Sequence, residues 1–457
     1  MTIDTAITAL EHLLRDRLSR SKSDLALHGA SETHFATMPP DAVIYPANTD
    51  ETAQAVRICR DHGCPVIGFG AGTSLEGHVA ALRGGVAVDF SRMNSVLAVN
   101  AADMDVVVQP GLTREELNTE LRATGLFFPV DPGANASLGG MASTRASGTT
   151  AVRYGTMRDN VIALEAVTAE GEVIRTGTRA RKSASGYDLT GLFVGSEGTL
   201  GLITELTLRL QGIPEATAAA VCAFEDTNAA VETVIATIQS GIPMARIEYL
   251  DAASIAAVNA YSDRQDPVQP HLFVEFHGSQ AAVAEQAESF GELAAGFGGA
   301  GFRWSTYEED KRALWAARHS AYYAILAARP GARAVVTDVC VPISRLAEAV
   351  DATRAEIEAS PIPGPILGHV GDGNYHAILL IDPENPKEKE TALALQSAMV
   401  DRALHLGGTA TGEHGVGMGK LGYMEAEHGA AWSLMGDIKR ALDPGSIMNP
   451  GKLVRQN

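Results

Sequence analysis

The chain has 457 residues, of which 46% are hydrophobic and 20% are charged, so it has enough apolar sequence for two or three folded domains and is not disordered. It carries 36 Lys and Arg against 55 Asp and Glu, and the net charge of −19 argues against nucleic acid or an anionic membrane surface as a partner. Its 4 cysteines show no CxxC spacing, and no stretch approaches the ~18 apolar residues of a membrane span. These features favour a cytoplasmic enzyme.

The first part of the chain is predicted to alternate helices and strands around glycine-rich loops. The predicted elements are, in order, a helix with a polar linker over 1–37, a strand at 41–46, a helix at 50–62 capped by Asn48, Thr49 or Asp50, strands at 84–91 and 104–111, a helix capped by Thr113, and three strands between 161 and 210. Residues 131–160 are rich in small residues and are predicted to carry little secondary structure, which in a compact domain marks a functional segment.

Pro214 marks a change of composition, after which Ala-rich helices alternate with short strands. This pattern predicts a second αβ domain with an antiparallel sheet. Residues 280–296 and 388–407 are predicted helices, and the second of them is clearly amphipathic. The last helix is predicted to stop at Asp443, where Pro and Gly follow.

Three loops of small residues point to one large ligand. The first, FGAGTSLEG at 69–77, lacks the dinucleotide fingerprint because Leu75 stands where the third glycine belongs. Its backbone N–H groups still suit a diphosphate, although an ordinary glycine-rich turn explains this loop equally well. The other two loops lie within 131–160 and at 196–204. Converging at strand ends, the three would form the cradle of one cofactor.

A hairpin at residues 366–380 predicts a metal site. Two apolar runs flank Asp372-Gly373, and this dipeptide favours a two-residue turn. Such a turn places His369 directly opposite His376 on one face of the sheet, with Cβ atoms ~5 Å apart. Two histidines so placed would chelate a metal ion. The alternative is a pair that only forms hydrogen bonds in the core.

A third ligand is available in the segment TGEHGVGMGK at 411–420. It offers Glu413 beside His414, with glycines on both sides that indicate close backbone packing. Two histidines and one carboxylate with an open position suit Zn²⁺, Mn²⁺ or Fe²⁺. The alternative for this segment is a solvated loop.

Four motifs together resemble a known cofactor domain: FGAGTSLEG, VDPGANASLGGMASTRASGT, RYGTMRDNV and VGSEGTLGLIT. They are similar to the PCMH-type FAD-binding domain of the vanillyl-alcohol oxidase superfamily, and the C-terminal motifs resemble its metal-containing D-2-hydroxyacid dehydrogenases. The resemblance covers residues ~40–455. It implies an α+β fold with non-covalent FAD, its diphosphate on loop 69–77, and no role for His78. The implied domains are an N-terminal helix and linker at 1–37, a two-subdomain FAD-binding domain at 38–213, an αβ cap with an antiparallel sheet at 214–400, and a helical segment at 401–457 that returns to the flavin.

The resemblance also assigns roles to single residues. It implies His369, His376 and Glu413 as metal ligands and His414 as the catalytic base. The implied substrate-binding residues are Trp315, Arg318 of the LWxxR motif, Tyr322 and His414. The implied cofactor-binding residues are Gly70, Ala71, Gly72, Thr73, Ser74, Leu75, Gly77, Pro132, Gly133, Ser137, Gly140, Ala146, Ser147, Gly148, Tyr154, Gly155, Asn160, Val161, Glu197, Gly198, Gly201, Ile203 and Asn449.

Two departures from the family indicate the substrate. Relatives that oxidise D-2-hydroxyglutarate carry a Lys and an Asn where this chain has Val336 and Ile378. The groups for a second carboxylate are therefore missing, and we expect a small monocarboxylate such as D-lactate, oxidised to pyruvate by hydride transfer to flavin N5. Glycolate and D-2-hydroxyglutarate are the alternative substrates. An alkylglycerone-phosphate-synthase-like transferase is the alternative class, and a flavin-binding protein without catalysis fits poorly with four intact site residues.

The resemblance also implies partners. Reduced FAD would pass its electrons to a cytochrome c or a quinone-linked carrier, and the acidic charge favours a basic acceptor. We expect a cytoplasmic protein without a transmembrane segment, docked at most on the inner membrane through its acceptor. A homodimer is one alternative for the oligomeric state.

Overall fold

A computed structural model of the protein describes residues 2–31 and 33–455. The strands are β1 (Leu18–Ser19), β2 (Ala42–Ile44), β3 (Val66–Phe69), β4 (Val86–Asp89), β5 (Val96–Asn100), β6 (Asp105–Val108), β7 (Leu126–Phe127), β8 (Val161–Thr168), β9 (Val173–Gly177), β10 (Gly201–Arg209), β11 (Gln211–Gly212), β12 (Ala216–Ala223), β13 (Met244–Leu250), β14 (His271–Gly278), β15 (Ala300–Ser305), β16 (Arg333–Val336), β17 (Val339–Cys340), β18 (Ile366–His369) and β19 (Asn374–Ile381).

Helices alternate with these strands along the chain. They are α1 (Ile3–Leu14), α2 (Lys22–His28), α3 (Thr49–His62), α4 (Arg114–Leu121), α5 (Leu138–Thr144), α6 (Ala151–Tyr154), α7 (Met157–Asn160), α8 (Leu189–Phe193), α9 (Thr227–Gln239), α10 (Ala252–Ser262), α11 (Gln280–Gly296), α12 (Glu308–His319), α13 (Ala321–Ala327), α14 (Leu346–Glu358), α15 (Pro386–His405), α16 (Met424–His428) and α17 (Ala430–Leu442). The mixture of helix and sheet confirms the α+β prediction.

The chain divides into two compact units. The described residues of 1–148, 155–213 and 413–457 form unit 1, and residues 149–154 and 214–412 form unit 2. Each unit has its own sheets and core.

Unit 1 contains two main sheets. In the four-stranded sheet, with the order β1-β2-β4-β3, the strands β2, β4 and β3 run parallel, and α1 and α3 supply core residues such as Leu10 and Val56. The five-stranded sheet is antiparallel, with the order β5-β6-β10-β8-β9, and buries Phe128, Leu164 and Leu206. The first glycine-rich loop follows β3 of the four-stranded sheet, and the third leads into β10 of the five-stranded sheet.

Unit 2 is built on one antiparallel sheet of eight strands, with the order β15-β12-β14-β13-β18-β19-β16 and with β17 paired to β19. The helices α10, α12 and α13 contribute Ile255, Leu314 and Ile325 to an apolar cluster that includes Leu250 and Phe273 of the sheet. The helices α11 and α15 pack against β12, β14 and β19. The alternation of side chains along each strand gives the sheet one face toward α12, and this face carries the polar residues described below.

Two sequence predictions about elements are wrong in part. Residues 131–160 contain three short helices, α5 to α7, because polar side chains cap them: Ser137 Oγ accepts a hydrogen bond from the Gly140 amide at 3.4 Å, and Thr156 forms a capping box with Asp159. The polar linker predicted after the first helix contains α2 and β1. The predicted caps Asn48 and Thr113 are confirmed, since each side chain accepts from the backbone three residues on.

Candidate active site

The two hairpin histidines lie together in unit 2, but in a different register from the predicted one. His369 pairs with Asn374 and His376 pairs with Leu367, so the two rings are diagonal neighbours with centroids 5.5 Å apart. The prediction of directly opposite histidines across a two-residue turn is wrong. That turn needs positive φ at both central residues, and among the described residues of this loop only Gly373 has it, at +79°.

Hydrogen bonds fix the tautomers of both histidines. His369 Nδ1 lies 2.7 Å from a carboxylate oxygen of Glu248, and His376 Nδ1 lies 2.9 Å from the carbonyl oxygen of Thr337. Both partners are acceptors, so Nδ1 carries the proton in each ring and Nε2 carries the lone pair. Metal-binding histidines in proteins are oriented in the same way.

A buried carboxylate joins one of these histidines to an arginine. Glu248 of β13 is fully buried, and its Oε2 accepts from Nε of Arg318 at 2.9 Å and lies 2.6 Å from Nη2. Burial alone would raise the pKa of the Glu248 carboxyl, but the interactions with His369 and Arg318, which both donate hydrogen bonds to it, outweigh burial and hold the pKa below its ordinary value. Glu248 therefore stays ionised between its two partners.

The predicted substrate residues lie on the two helices that cover this face. Arg318 and Trp315 belong to α12, and Trp315 is buried with the Arg246 guanidinium 5.2 Å from its ring centroid. Tyr322 follows on α13, partly buried against the apolar cluster and edge-on to Tyr323. All of these side chains belong to unit 2.

The two residues that set this chain apart from its dicarboxylate-oxidising relatives face each other. Val336 of β16 pairs directly with Ile378 of β19. Ile378 lies two residues beyond His376 on the same strand, so both side chains point to the same face of the sheet. The surface next to the histidines is therefore apolar at this point.

A second polar network supports the hairpin. Asn374 Nδ2 donates to Asp338 Oδ1 at 2.7 Å, and the hydroxyl of Thr411 donates to Asp338 Oδ2 at 2.6 Å. Gly412 packs so closely that an added Cβ would lie 2.2 Å from Asn374 Nδ2. The residues immediately before Glu413 are thus fixed against the hairpin.

Glu413 and His414 begin the last segment of unit 1, and this segment is held by Glu197. The two carboxylate oxygens of Glu197 accept from the amides of Val416 at 2.7 Å and Gly417 at 2.8 Å. The segment that carries the predicted base is therefore anchored by a buried acidic side chain.

Most of the predicted cofactor residues lie in unit 1. An added Cβ at Gly70 would lie 2.2 Å from Ser137 Oγ. The first two loops are therefore so close to each other that no methyl group fits between them at this point. Asn449 Nδ2 donates to the carbonyl oxygens of Glu197 at 2.7 Å and His78 at 3.3 Å, which ties the third loop and the C-terminal tail together. These loops converge as an extended cofactor requires. Tyr154 is the exception, because it belongs to unit 2.

Sequence reasoning missed three polar residues of unit 2, namely Glu248, Glu275 and His277. Tyr154 donates its hydroxyl to His277 Nδ1 at 2.7 Å, and His277 Nε2 lies 2.7 Å from Glu275 Oε1. Glu275 and His277 lie two residues apart on the same face of β14. Glu248 lies between the apolar residues Ile247 and Tyr249 of β13. The available signal was a charged side chain at an inward position of a strand that is otherwise buried.

Comparison with known proteins identifies the class. Residues 213–453 match the family described as FAD linked oxidases, C-terminal domain, and residues 40–177 match the FAD binding domain. The chain belongs to the FAD-linked oxidase family, and FAD is its cofactor. Over 93% of its length it is 48% identical to the Probable D-lactate dehydrogenase, mitochondrial, of Danio rerio, covering 87% of that protein. Over 98% it is 45% identical to the D-lactate dehydrogenase [cytochrome], mitochondrial, of Arabidopsis thaliana, covering 80% of it.

A solved structure agrees on the fold. The chain superposes on p-cresol methylhydroxylase with a TM-score of 0.80 at 18% identity, covering 98% of this chain and 96% of the other. At this identity the likeness concerns the fold alone, which is the PCMH-type fold expected from the sequence.

The prediction of a cytoplasmic location is wrong. The similar D-lactate dehydrogenases of Danio rerio and Arabidopsis thaliana are mitochondrial. The cytoplasmic prediction depended on the small number of cysteines, and this property does not separate the cytosol from the interior of an organelle. Among the described residues, no helix combines the length and apolar character needed to cross a membrane.

Proposed function

We propose that the protein oxidises D-lactate and other small D-2-hydroxy monocarboxylates to 2-oxo acids, with non-covalently bound FAD and a divalent metal. The observation that carries the proposal is the arrangement of Arg318 and His369 around Glu248, beside the apolar pair Val336 and Ile378. Arg318 offers a site for one carboxylate, His369 and the neighbouring His376 offer two imidazoles of the kind that bind metal ions, and Val336 and Ile378 offer no polar group for a second carboxylate. The D-lactate dehydrogenases that share nearly half of the sequence support the same substrate.

The metal in this proposal is held by His369, His376 and Glu413. The two histidines fit a metal because each presents Nε2 while Nδ1 is engaged. Glu413 is proposed as the third ligand because it directly follows Gly412, which packs against the hairpin residue Asn374. Zn²⁺ and Mn²⁺ are the proposed ions, since both accept two imidazoles and one carboxylate.

The residues of the chain bind and orient the substrate and take its proton. Arg318 binds the carboxylate through two parallel hydrogen bonds, the arrangement in which a guanidinium is strongest. His414 takes the proton of the 2-hydroxyl, a role suited to an imidazole that titrates near neutrality. When bound, the metal supplies Lewis-acid polarisation of the hydroxyl and FAD supplies the acceptor of the hydride from C2. A cytochrome c is the proposed final acceptor, in line with the acidic net charge of −19.

The proposal is tested by anaerobic mixing of the purified protein with D-lactate, L-lactate, glycolate and D-2-hydroxyglutarate while the flavin absorbance is followed. We expect rapid bleaching by D-lactate that is lost after chelation of the metal. Bleaching by the dicarboxylate alone would mean that Val336 and Ile378 do not set the specificity. A yellow protein that none of the four acids bleaches would exclude the dehydrogenase activity and favour a transferase.

His414→Ala tests the base. We expect the rate of bleaching by D-lactate to fall by about 10²- to 10⁴-fold, the usual contribution of a positioned acid or base, with FAD still bound. His428→Ala is the control, because His428 lies in α16 of the same unit and has no proposed role. Equal rates in the two variants would remove His414 from the mechanism.

A further inference from the structure

We propose that Glu248 is a positioning residue that orients Arg318 and His369 together, so that one buried side chain places the substrate carboxylate relative to the metal. The proposal rests on the proposed function and adds a residue to it. Glu248 itself contacts neither substrate nor metal in this scheme, and acts through its two partners.

Both oxygens of the Glu248 carboxylate are used by side chains of the candidate site. Oε1 lies 2.7 Å from His369 Nδ1, and Oε2 lies 2.9 Å and 2.6 Å from two nitrogens of Arg318. The side chains of Glu248, His369 and Arg318 are 0%, 11% and 13% exposed, so water screens these contacts little. A shift of the carboxylate would therefore move both partners.

The contact decides which edge of the Arg318 guanidinium meets a ligand. Nε and Nη2 form one edge of the planar group, and both point to Glu248. The end edge, formed by Nη1 and Nη2, keeps the parallel donors that bind a carboxylate in the bidentate manner. Without Glu248 the guanidinium could rotate and offer either edge.

The same carboxylate decides which nitrogen of His369 meets a metal. Because Nδ1 donates to Glu248, the lone pair stays on Nε2, and the ring centroid lies 5.5 Å from that of His376. A carboxylate behind a metal-binding histidine also raises its basicity as a ligand. The carboxylate of Glu248 thus fixes the orientation of both His369 and Arg318.

Stability alone does not account for a carboxylate at this position. Residues of the apolar cluster lie next to Glu248 on the same sheet face, namely Leu250, Phe273 and Leu367. Buried ion pairs are often no more stabilising than apolar residues of similar volume, since desolvation offsets the attraction. A buried charge whose partners are both predicted site residues is therefore better explained by positioning.

The test compares Glu248→Gln with Glu275→Gln. Glu275 is a matched control for the metal titration alone, because it is another buried carboxylate on a neighbouring strand, and its partners His277 and Arg246 are not predicted metal ligands. Metal-free protein is titrated with Zn²⁺ and with Mn²⁺, FAD content and melting temperature are measured, and kcat and KM for D-lactate are determined separately. We expect Glu248→Gln to weaken metal binding by about 10- to 100-fold and to raise KM for D-lactate, with FAD content unchanged. Glu275→Gln is expected to keep the metal affinity of the wild type.

The outcomes separate this proposal from the proposed function. If the wild type binds metal, His376→Ala loses it and Glu248→Gln binds it as tightly as the wild type with an unchanged KM, Glu248 is only structural and the proposal is overturned. If the wild type binds neither ion, the proposed metal site fails, and the positioning role fails with it. If Glu248→Gln does not fold, Glu248→Asp decides by the same titration, because it keeps the charge but withdraws the carboxylate by one methylene. Wild-type affinity and KM in Glu248→Asp would then overturn the proposal.

Discussion

Single residues of the candidate site act through the geometry of their hydrogen bonds as much as through their charge. Arg318 is the clearest case, since it contacts Glu248 through one edge and is proposed to bind substrate through another. A lysine carries the same charge but lacks the planar fork that serves two partners at once. The difference between these two cations is therefore measurable.

Arg318→Lys is expected to raise KM for D-lactate by about 10- to 100-fold, because a hydrogen bond to a charged group contributes about 1.5–3 kcal/mol and 1.4 kcal/mol corresponds to a factor of ten. Steady-state kinetics with an artificial electron acceptor measure the change. Arg329→Lys is the control, since Arg329 forms a carboxylate pair with Glu388 elsewhere in unit 2. An unchanged KM in Arg318→Lys would contradict the assigned role.

The apolar pair offers a test of specificity. Val336→Lys combined with Ile378→Asn supplies the two polar groups of the dicarboxylate-oxidising relatives on strands that pair directly at these positions. We expect the double variant to gain bleaching by D-2-hydroxyglutarate and to lose affinity for D-lactate, because an apolar contact is replaced by polar groups without a partner in the smaller acid. Activity toward D-lactate alone, at the wild-type level, would show that specificity is set elsewhere.

Functional residues that belong to recognisable motifs could be predicted from the sequence, whereas a functional residue inside an ordinary strand could not. The two hairpin histidines were found because a turn signal brings them together. Glu248 was missed because a single glutamate in the run ARIEYLD looks like an outward-facing residue of a half-exposed strand. Only the pairing of β13 with β18 turns it toward His369.

At the scale of elements, the hairpin shows why register is harder to predict than the presence of a turn. The dipeptide Asp372-Gly373 signals a reversal correctly, but the loop that forms includes Val370 and Gly371. Tertiary contacts select this loop, since Val341 donates its amide to the Gly373 carbonyl and β17 pairs with the start of β19. The side chains of both histidines still share one face, because the register differs by two residues, a full period of the strand.

Gly373→Ala tests the loop. An added Cβ would lie 2.0 Å from the Val341 carbonyl oxygen at a φ of +79°. Gly407→Ala is the matched control, because Gly407 has a φ of +81° in the same unit and no atom within 4 Å of an added Cβ. We expect Gly407→Ala to cost about 1–2 kcal/mol from the left-handed backbone alone and Gly373→Ala to cost clearly more. Urea unfolding monitored by circular dichroism gives both values, and equal losses would show that the loop yields to the added methyl group.

Over the whole molecule, the small-residue loops predict a large cofactor, and the resemblance of the motifs implies the fold class and FAD, but the compartment was not predicted correctly. The prediction of FAD as the large cofactor is confirmed by the FAD binding domain that matches residues 40–177. The division into domains at 38, 214 and 401 stays a prediction of the sequence. The compartment was predicted wrongly, because composition and cysteine content do not distinguish the cytosol from the interior of an organelle.

The pH dependence of the free energy of unfolding is a property of the whole fold, and one buried side chain is expected to make a measurable contribution to it. Lys452 lies in the C-terminal tail of unit 1, and its ammonium donates to the carbonyl oxygen of Ala80 at 2.5 Å and to Asn449 Oδ1 at 2.7 Å. Burial lowers the pKa of Lys452 to about 7, although the charge of Glu197 opposes the shift. In the unfolded chain the pKa of lysine is about 10.4.

The sign of the pH dependence follows from these two values. Between pH 7 and about 10.4 the unfolded chain holds a proton on Lys452 that the folded protein has released, so the free energy of unfolding rises with pH in this window. Lys452→Met removes the titration and keeps most of the aliphatic volume. We therefore expect the wild type to gain on the order of 2 kcal/mol relative to Lys452→Met between pH 7 and pH 9, measured by urea unfolding at each pH with FAD saturating. Lys389→Met, at an exposed position of α15, is expected to keep the wild-type pH dependence, and parallel curves for the wild type and Lys452→Met would show that this ammonium is not forced to release its proton on folding.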